Sequence, residues 1–268
     1  MSIIYEPKGK AREYAPLSCN LYSGCNHGCV YCYAPGIRRM SSEQYKEITP
    51  RRNVLKDFEN DCKRNVGSEK PVLFCFMTDP YNSLDTELRL TREALKLCHK
   101  YRIPTQVLSK SKTLLNDIDV FIKMKEHIHV GMTLTASTEK TSLDWEPGAS
   151  LPEERIETLK ELKKNGVVTW ASFEPVYNIE ESLAIMEDSL CCVDIYKVGK
   201  INNYRGLDKI MDWSYFLNCT VEMLRRNNKP FYIKQDLREA APAVRLYGNE
   251  IIMDDFLPRP YPQQAELF

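Results

Sequence analysis

The sequence predicts an α/β protein, a partial (β/α)6 TIM-like barrel with a short C-terminal extension. Apolar runs of strand length alternate with segments of helical spacing from about residue 17 to residue 234, a pattern typical of βα units and a parallel sheet. At roughly 150 residues per domain, 268 residues fit one large barrel or two small domains. We expect one barrel domain, residues 1–236, and an extension, residues 237–268, packed on it.

Composition and charge exclude several classes of protein. The chain has 37 basic and 37 acidic residues, and 43% of it is hydrophobic, as in soluble folded proteins. No run approaches the ~18 apolar residues of a membrane span, and the first residues lack the pattern of a signal peptide. Ten cysteines, about 4%, fall below the ~8–10% of disulfide scaffolds. We therefore expect a cytoplasmic protein without membrane association.

Six strands are predicted as short apolar runs bounded by turn residues. They cover residues 71–78, 104–109, 128–135, 167–173, 193–198 and 230–234. An earlier strand is expected to lead into the loop near Cys25. Within residues 128–135, alternation leaves Gly131, Thr133 and Thr135 facing the barrel lumen, opposite an apolar face toward the helices.

One of the intervening helices carries recognisable ends. Ser150 and Glu153 form the pattern of a capping box, and Gly166 is typical of a helix end. Between them, Ile156 and Leu159 begin an apolar stripe at helical spacing.

The carboxyl ends of the predicted strands carry polar residues. Active sites of parallel α/β sheets lie beyond these ends, so a shared pocket is predicted there. A charged residue is also common wherever a strand end meets water. Taken alone, each of these residues could therefore be either a pocket residue or a solvated strand end. The residues are Asp79, Lys110, Thr133, Thr135, Glu174, Lys197 and Lys234.

The most informative motif is a loop with three cysteines after the first predicted strand. Cys25, Cys29 and Cys32 have C-x3-C-x2-C spacing, which allows three thiolates to bind one iron–sulfur cluster. Four-iron clusters normally take four thiolates, so this loop would leave one iron without a protein ligand. Zinc, with His27 or Cys19 as a fourth ligand, is the alternative.

At these residues the sequence resembles the radical S-adenosylmethionine (SAM) superfamily and, within it, the spore photoproduct lyase-like group. The resemblance covers residues 18–236 and starts from the run Cys-Asn-His-Gly-Cys-Val-Tyr-Cys-Tyr. Further matching segments are residues 77–81, 89–92, 108–111, 116–119, 153–157 and 170–176.

The resemblance implies a function and its cofactors. Cys25, Cys29 and Cys32 would hold a [4Fe-4S] cluster whose open iron takes the amino and carboxylate groups of SAM. An external one-electron reductant of the flavodoxin or ferredoxin type would then drive cleavage of SAM to methionine and a 5′-deoxyadenosyl radical, which abstracts hydrogen from the substrate.

The resemblance also implies contacts with SAM. Tyr31 would lie near the adenine, Thr78 and Asp79 near the methionyl amino group, and Lys110 near the carboxylate. A purely structural ion pair of Lys110 with a neighbouring acid is the alternative interpretation.

Other residues have less defined roles. Thr133 resembles the family's hydroxyl on the next strand, and Glu174 would contact the ribose or the substrate. The catalytic residues are unknown, with Tyr33, Cys75 and Glu174 as candidates. Cys75 is shifted by one residue from the family's hydrogen-donating cysteine, which favours a buried core thiol over a radical relay.

The substrate and the oligomeric state are left open. A nucleic-acid lesion or modified nucleotide is one hypothesis, and a peptide, protein or small metabolite is the second. A non-catalytic metal-binding or interaction module is the third. Basic pairs such as Arg38-Arg39 fit a nucleic-acid substrate, whereas a net charge of zero does not favour it.

Overall fold

The computed structural model describes residues 2–202 and 204–262. Residues 263–268, the end of the predicted extension, lie outside the described residues. The strands are β1 (Ile4–Tyr5), β2 (Leu17–Cys19), β3 (Tyr22–Ser23), β4 (Thr49–Pro50), β5 (Val72–Phe74), β6 (Thr105–Ser109), β7 (Ile128–Thr133), β8 (Val168–Phe173), β9 (Ile195–Val198) and β10 (Phe231–Ile233).

Helices connect the strands. They are α1 (Ala34–Arg38), α2 (Ser42–Tyr45), α3 (Val54–Arg64), α4 (Asp85–Leu88), α5 (Leu90–Lys100), α6 (Ile118–Met124), α7 (Glu139–Trp145), α8 (Pro152–Lys164), α9 (Ile179–Ser189), α10 (Leu207–Ile210), α11 (Trp213–Arg226) and α12 (Gln235–Ala240). Short 3-10 helices cover Gly9–Glu13, Lys112–Asp117, Lys125–His127, Gly248–Glu250 and Met253–Phe256. In the described ranges, no helix has both the length and the apolar character needed to cross a membrane.

The main sheet has the order β1-β2-β5-β6-β7-β8-β9-β10. Every neighbouring pair is parallel except β1 with β2, which is antiparallel. No pairing joins β10 back to β1 or β2 among the described residues, so the barrel is open on one side. The predicted partial α/β barrel is confirmed, and each predicted strand is present. The antiparallel edge strand β1 was not predicted.

The two faces of the sheet bury different groups. Val130 and Met132 of β7 belong to the large core that the sheet shares with the helices. A smaller cluster fills the lumen side, formed by Tyr14, Ala15, Leu73, Leu108 and Trp170. The indole of Trp170 donates to Val107 O at 3.0 Å and lies against Gly131. This arrangement confirms the alternation predicted for residues 128–135.

Helix α8 begins one residue later than its predicted cap. Its N-cap is Leu151, and the Glu154 carboxylate, not Glu153, accepts the Leu151 N–H at 2.9 Å. Pro152 takes the first helical position, where its missing N–H is tolerated. The Ser150 hydroxyl instead accepts the N–H of Lys112 at 2.9 Å. Ser150 therefore joins two loops rather than capping the helix.

The C-terminal segment packs against the amino-end side of the sheet. The carbonyl of Phe256 accepts from Gln106 Nε2 at 3.5 Å, and Tyr261 stacks on His127 with ring centroids 3.8 Å apart. The domain boundary at residue 236 stays a prediction.

The close approach of Gly131 and Trp170 gives a stability prediction. A Cβ at Gly131 would lie 2.5 Å from Trp170 Nε1, so Gly131→Ala must displace a fully buried indole. We expect a loss of about 1–3 kcal/mol in the free energy of unfolding, measured by denaturant titration. Gly248→Ala, where no atom lies within 4 Å of the added Cβ, is the control. Equal stability of the two variants would contradict this packing.

Candidate active site

The loop between β3 and α1 carries the three cysteines and is tied down on two sides. The N–H of Cys25 donates to Tyr45 O at 2.7 Å, and Thr78 Oγ1 donates to Gly24 O at 2.6 Å. Gly24 has a φ of +84°, and a Cβ there would overlap the backbone of Glu47. The loop is therefore held by α2 and by the residues that follow β5.

The three thiols lie within electrostatic reach of one another. Cys25 and Cys29 are half-buried and Cys32 is exposed. Burial raises the pKa of Cys29 to about 12; Lys110 opposes this rise, and Cys25 and Cys32 add to it. Burial, followed by the charge of Asp79, raises the pKa of Cys25 to about 11. Metal binding must therefore displace protons from these thiols.

The donor set fits an iron–sulfur cluster, because such clusters are held by cysteine thiolates and this loop supplies three cysteines. In the part of the chain that the structure describes, no three His, Cys, Asp or Glu side chains converge as one metal ion requires. His27 is buried with its Nδ1 3.5 Å from Asp79 Oδ2, and Cys19 is buried. The geometry gives the zinc alternative no support.

Asp79 joins the ends of β5 and β6. Its Oδ1 accepts from Ser109 Oγ at 2.7 Å and from the N–H of Tyr81 at 2.8 Å. Its Oδ2 accepts from the N–H of Lys110 at 2.8 Å. The carboxylate is buried, and both of its oxygens accept hydrogen bonds from other residues of the chain. Its predicted contact with SAM stays a prediction.

A buried charged group surrounds Lys110. Its Nζ lies 4.0 Å from Glu146 Oε1 and 5.8 Å from the centroid of the Tyr31 ring. Glu146 pairs with Arg155 Nη2 at 2.6 Å and accepts from the hydroxyl of Tyr31. Arg155 also donates to Thr133 O at 2.9 Å. Lys110 thus has the acidic neighbour that the structural alternative requires, and its contact with the SAM carboxylate stays a prediction.

The charges in this group shift one another's pKa. Burial would raise the pKa of Glu146, but Arg155 and then Lys110 lower it overall. Burial would lower the pKa of Lys110, but Cys29 and Glu146 raise it overall. Glu146 is thus held as a carboxylate and Lys110 as an ammonium. Burial, with Cys29 and Glu146, raises the pKa of Tyr31 and keeps its phenol protonated.

We call residues 145–150 the latch segment because their backbone forms hydrogen bonds with the cysteine loop. Trp145 O accepts from the N–H of Val30 at 2.9 Å, and the N–H of Gly148 donates to His27 O at 2.8 Å. The N–H of Ser150 donates to Lys110 O at 2.9 Å. The latch segment thus connects the cysteine loop to the end of β6.

A second polar network lies in the barrel lumen, below the carboxyl ends of the strands, which form the mouth of the barrel. Glu174 Oε2 accepts from the hydroxyl of Tyr14 and from Lys234 Nζ, both at 2.6 Å. Tyr14 also shares a hydrogen bond of 2.8 Å with Ser172 Oγ. Lys197 donates to Tyr14 O at 2.8 Å, and burial, together with Lys234, lowers its pKa to about 7. Glu174 therefore belongs to the lumen network rather than to the group around Lys110.

Cys75 lies on the lumen side, not in the helix-facing core. It is half-buried and packs with Phe76 against the lumen cluster. Leu73 points the same way, so alternation continues past the end of β5. Tyr33 is 55% exposed, and its hydroxyl donates to Phe76 O at 3.4 Å. The structure brings both candidates to the mouth, and their catalytic roles stay predictions.

Sequence reasoning did not identify Glu146, Arg155 or Tyr177 as site residues. Tyr177 stacks on Trp145 with centroids 4.2 Å apart and lies 6.0 Å from Tyr31. Their contacts are made across loops, by Glu146 with Arg155 and by Tyr177 with Trp145, and periodicity does not reveal them. The run Trp-Glu-Pro-Gly at residues 145–148, an acid between an aromatic and a turn, was the available signal.

Comparison with known proteins identifies related chains. A family model described as the Radical SAM superfamily matches residues 19–187. An uncharacterized protein from Methanocaldococcus jannaschii is 31% identical over 157 residues, which is 59% of each chain. An uncharacterized protein from Acidianus two-tailed virus is 23% identical, covering 70% of this chain and 68% of its own.

Two solved structures share the fold. A variant of spore photoproduct lyase superposes with a TM-score of 0.66 at 9% identity, covering 85% of this chain and 78% of its own. SuiB of Streptococcus suis bound to S-adenosylmethionine gives a TM-score of 0.63 at 15% identity, covering 86% of this chain and 53% of its own. The chain thus spans about half of SuiB and three fifths of the archaeal relative.

The contact of the latch segment with the cysteine loop gives a second prediction. A Cβ at Gly148 would overlap Asn26 O and lie 2.9 Å from His27 Cα. Gly148→Ala should therefore displace the loop, at a cost of about 1–3 kcal/mol, and lower the iron and sulfide bound per chain after reconstitution. Gly36→Ala, where the added Cβ meets open space, should load normally. Normal iron content in Gly148→Ala would show that the latch segment does not position the loop.

Proposed function

Because the chain belongs to the radical SAM superfamily, we propose that its cysteine loop and strand ends form the site of SAM cleavage. The superfamily uses a [4Fe-4S] cluster with SAM, and two structural neighbours are solved with SAM bound. When bound, these cofactors supply one-electron cleavage of a sulfonium C–S bond, which yields methionine and a 5′-deoxyadenosyl radical. Cys25, Cys29 and Cys32 would hold the cluster.

The observation that carries this proposal is the position of Lys110 beside the cysteine loop. Its ammonium reaches the thiol of Cys29 electrostatically, and Arg155 adds a second buried cation. Both cations lie beside the carboxylate of Glu146, near the place where the SAM carboxylate would bind. Lys110 would orient that carboxylate, and Tyr31 would place a ring beside the adenine.

The strand ends would complete the SAM site. Thr78 is buried and its hydroxyl donates to Gly24 O, so this side chain would position the loop beside the methionyl amino group. The lumen cluster of Tyr14, Leu108 and Trp170 closes the barrel below the mouth. It would keep water and other hydrogen donors from the radical.

The decisive experiment is reductive cleavage of SAM. Anaerobically reconstituted protein with dithionite should release 5′-deoxyadenosine and methionine, measured by chromatography. Cys29→Ala should reduce this release to background, because the cluster loses one of three protein ligands. Cys191→Ala, which removes an exposed cysteine elsewhere in the chain, should retain it.

Two outcomes would oppose the proposal. One is protein that binds zinc and releases no nucleoside under reductant, as a non-catalytic metal-binding module would. The other is equal release from the Cys29→Ala variant and the native protein.

For the substrate class, we favour a nucleic-acid lesion or modified nucleotide. A neighbouring structure of spore photoproduct lyase holds a dinucleoside photoproduct and superposes with a TM-score of 0.61 over 91% of this chain. The loop after β9 adds an exposed cation beside a half-buried aromatic ring, with Arg205 5.3 Å from the Tyr204 ring. Basic and aromatic side chains together are what single-stranded nucleic-acid sites use.

A peptide substrate is the second candidate. The observation that favours it is the superposition on SuiB bound to its precursor peptide, with a TM-score of 0.59 over 82% of this chain. The superposition covers 50% of that SuiB chain, so half of SuiB has no counterpart in this chain's superposed part.

Salt dependence separates the two substrate classes. We expect the protein to bind single-stranded oligonucleotides, and Arg205→Ala to lower the slope of log affinity against log salt by about one. Lys164→Ala, which removes an exposed cation on α8, should leave the slope unchanged. Fluorescence anisotropy measures both. If oligonucleotides do not bind, or bind with an affinity that does not depend on salt, a peptide or small metabolite would be favoured as the substrate.

A further inference from the structure

Exposed apolar side chains are concentrated beside the cysteine loop. Val30, Tyr33, Ile37 and Met40 are 40–63% exposed and account for four of the thirteen exposed large hydrophobic residues in the described part of the chain. We call these four residues the α1 face. Single exposed apolar residues are ordinary, but four within eleven positions mark an interaction surface.

The α1 face is continuous with a cluster ligand. Cys32 is exposed and is followed directly by Tyr33, the N-cap of α1. Tyr33 and Ile37 lie one helical turn apart, and the N–H of Ile37 donates to Tyr33 O at 3.2 Å. A protein bound on the α1 face would therefore lie beside the cysteine loop, at the edge of the barrel mouth that Tyr33 reaches.

Positive charge flanks the α1 face. Arg38 and Arg39 are exposed, and neither forms an ion pair with another described residue. Burial raises the pKa of Tyr45 to about 12. The thiols of Cys32 and Cys25 add to this rise, and the charge of Arg38 opposes it. Residues 30–52 contain five basic and two acidic residues, although the whole chain is neutral. The charge at this face favours an acidic partner.

We propose that the α1 face is the docking site of a small acidic electron-carrier protein of the flavodoxin type. This inference rests on the proposed function, because it concerns the source of the electron used in SAM cleavage. One electron would leave the reduced flavin of the carrier, and the cluster that Cys25, Cys29 and Cys32 would hold would accept it, changing from the 2+ to the 1+ state. No atom is transferred.

The test measures cluster reduction rather than enzyme turnover. Reduced flavodoxin is mixed with the reconstituted protein in a stopped-flow instrument, and cluster absorbance is followed at several salt concentrations. The second-order rate should fall with salt, and Arg38→Glu with Arg39→Glu should lower it by about tenfold or more. Ile37→Ser should also lower it, by loss of apolar contact.

The control carries the same charge change elsewhere. Lys160→Glu with Lys164→Glu alters two exposed cations on α8 and should leave the rate unchanged. Dithionite, which needs no docking surface, should reduce the cluster equally in the native protein and all variants. This arm also shows whether each variant has loaded its cluster.

Two results would overturn the inference while leaving the proposed function intact. One is a flavodoxin rate that the arginine changes do not alter. The other is loss of oligonucleotide or peptide binding in that variant with normal reduction by flavodoxin, which would assign the α1 face to substrate. If dithionite reduces no cluster in the native protein, the proposed function itself fails.

Discussion

The buried carboxylate of Asp79 is the contact on which the mouth of the barrel depends. It accepts hydrogen bonds from the turn after β5 and from the end of β6, and His27 of the cysteine loop lies beside it. A buried carboxylate without donors is strongly destabilising, so these three segments keep one relative position. The cysteines, which share a loop with His27, are thereby fixed relative to Lys110 before any cofactor binds.

The charged residues buried around Lys110 are explained better by a role in the proposed site than by a contribution to the stability of the fold. Burying an ion pair such as Glu146 with Arg155 costs desolvation that its attraction often does not offset. The group nevertheless places two cations near the three thiols. In the empty protein, burial raises the pKa of Cys25 and Cys29, which favours the protonated thiols. Cluster binding would convert them to thiolates, and the nearby cations would then offset part of the added negative charge.

Local patterns predicted much of the fold and placed three cysteines on one loop. Strand alternation identified the lumen face of β7, because it is a property of adjacent residues. The wrong start of α8 has a physical cause, since Pro152 takes the first helical position. Cys75 packs against the lumen cluster, and its role stays a prediction. Glu146 and Arg155 pair across the turn before α8, and periodicity does not reveal such a contact.

Radical chemistry places opposite demands on the two sides of one loop. In the proposed reaction, the radical would form where the lumen excludes solvent, whereas the electron would arrive from another protein at the surface. The cysteine loop suits both demands, because Cys29 lies half-buried toward Lys110, while Cys32 is exposed and leads into α1. An exposed apolar face is unfavourable in isolation, but burying Ile37 or Tyr33 would remove the proposed short route for the electron. The proposed function thus gives a reason for the exposure of this face beside Cys32.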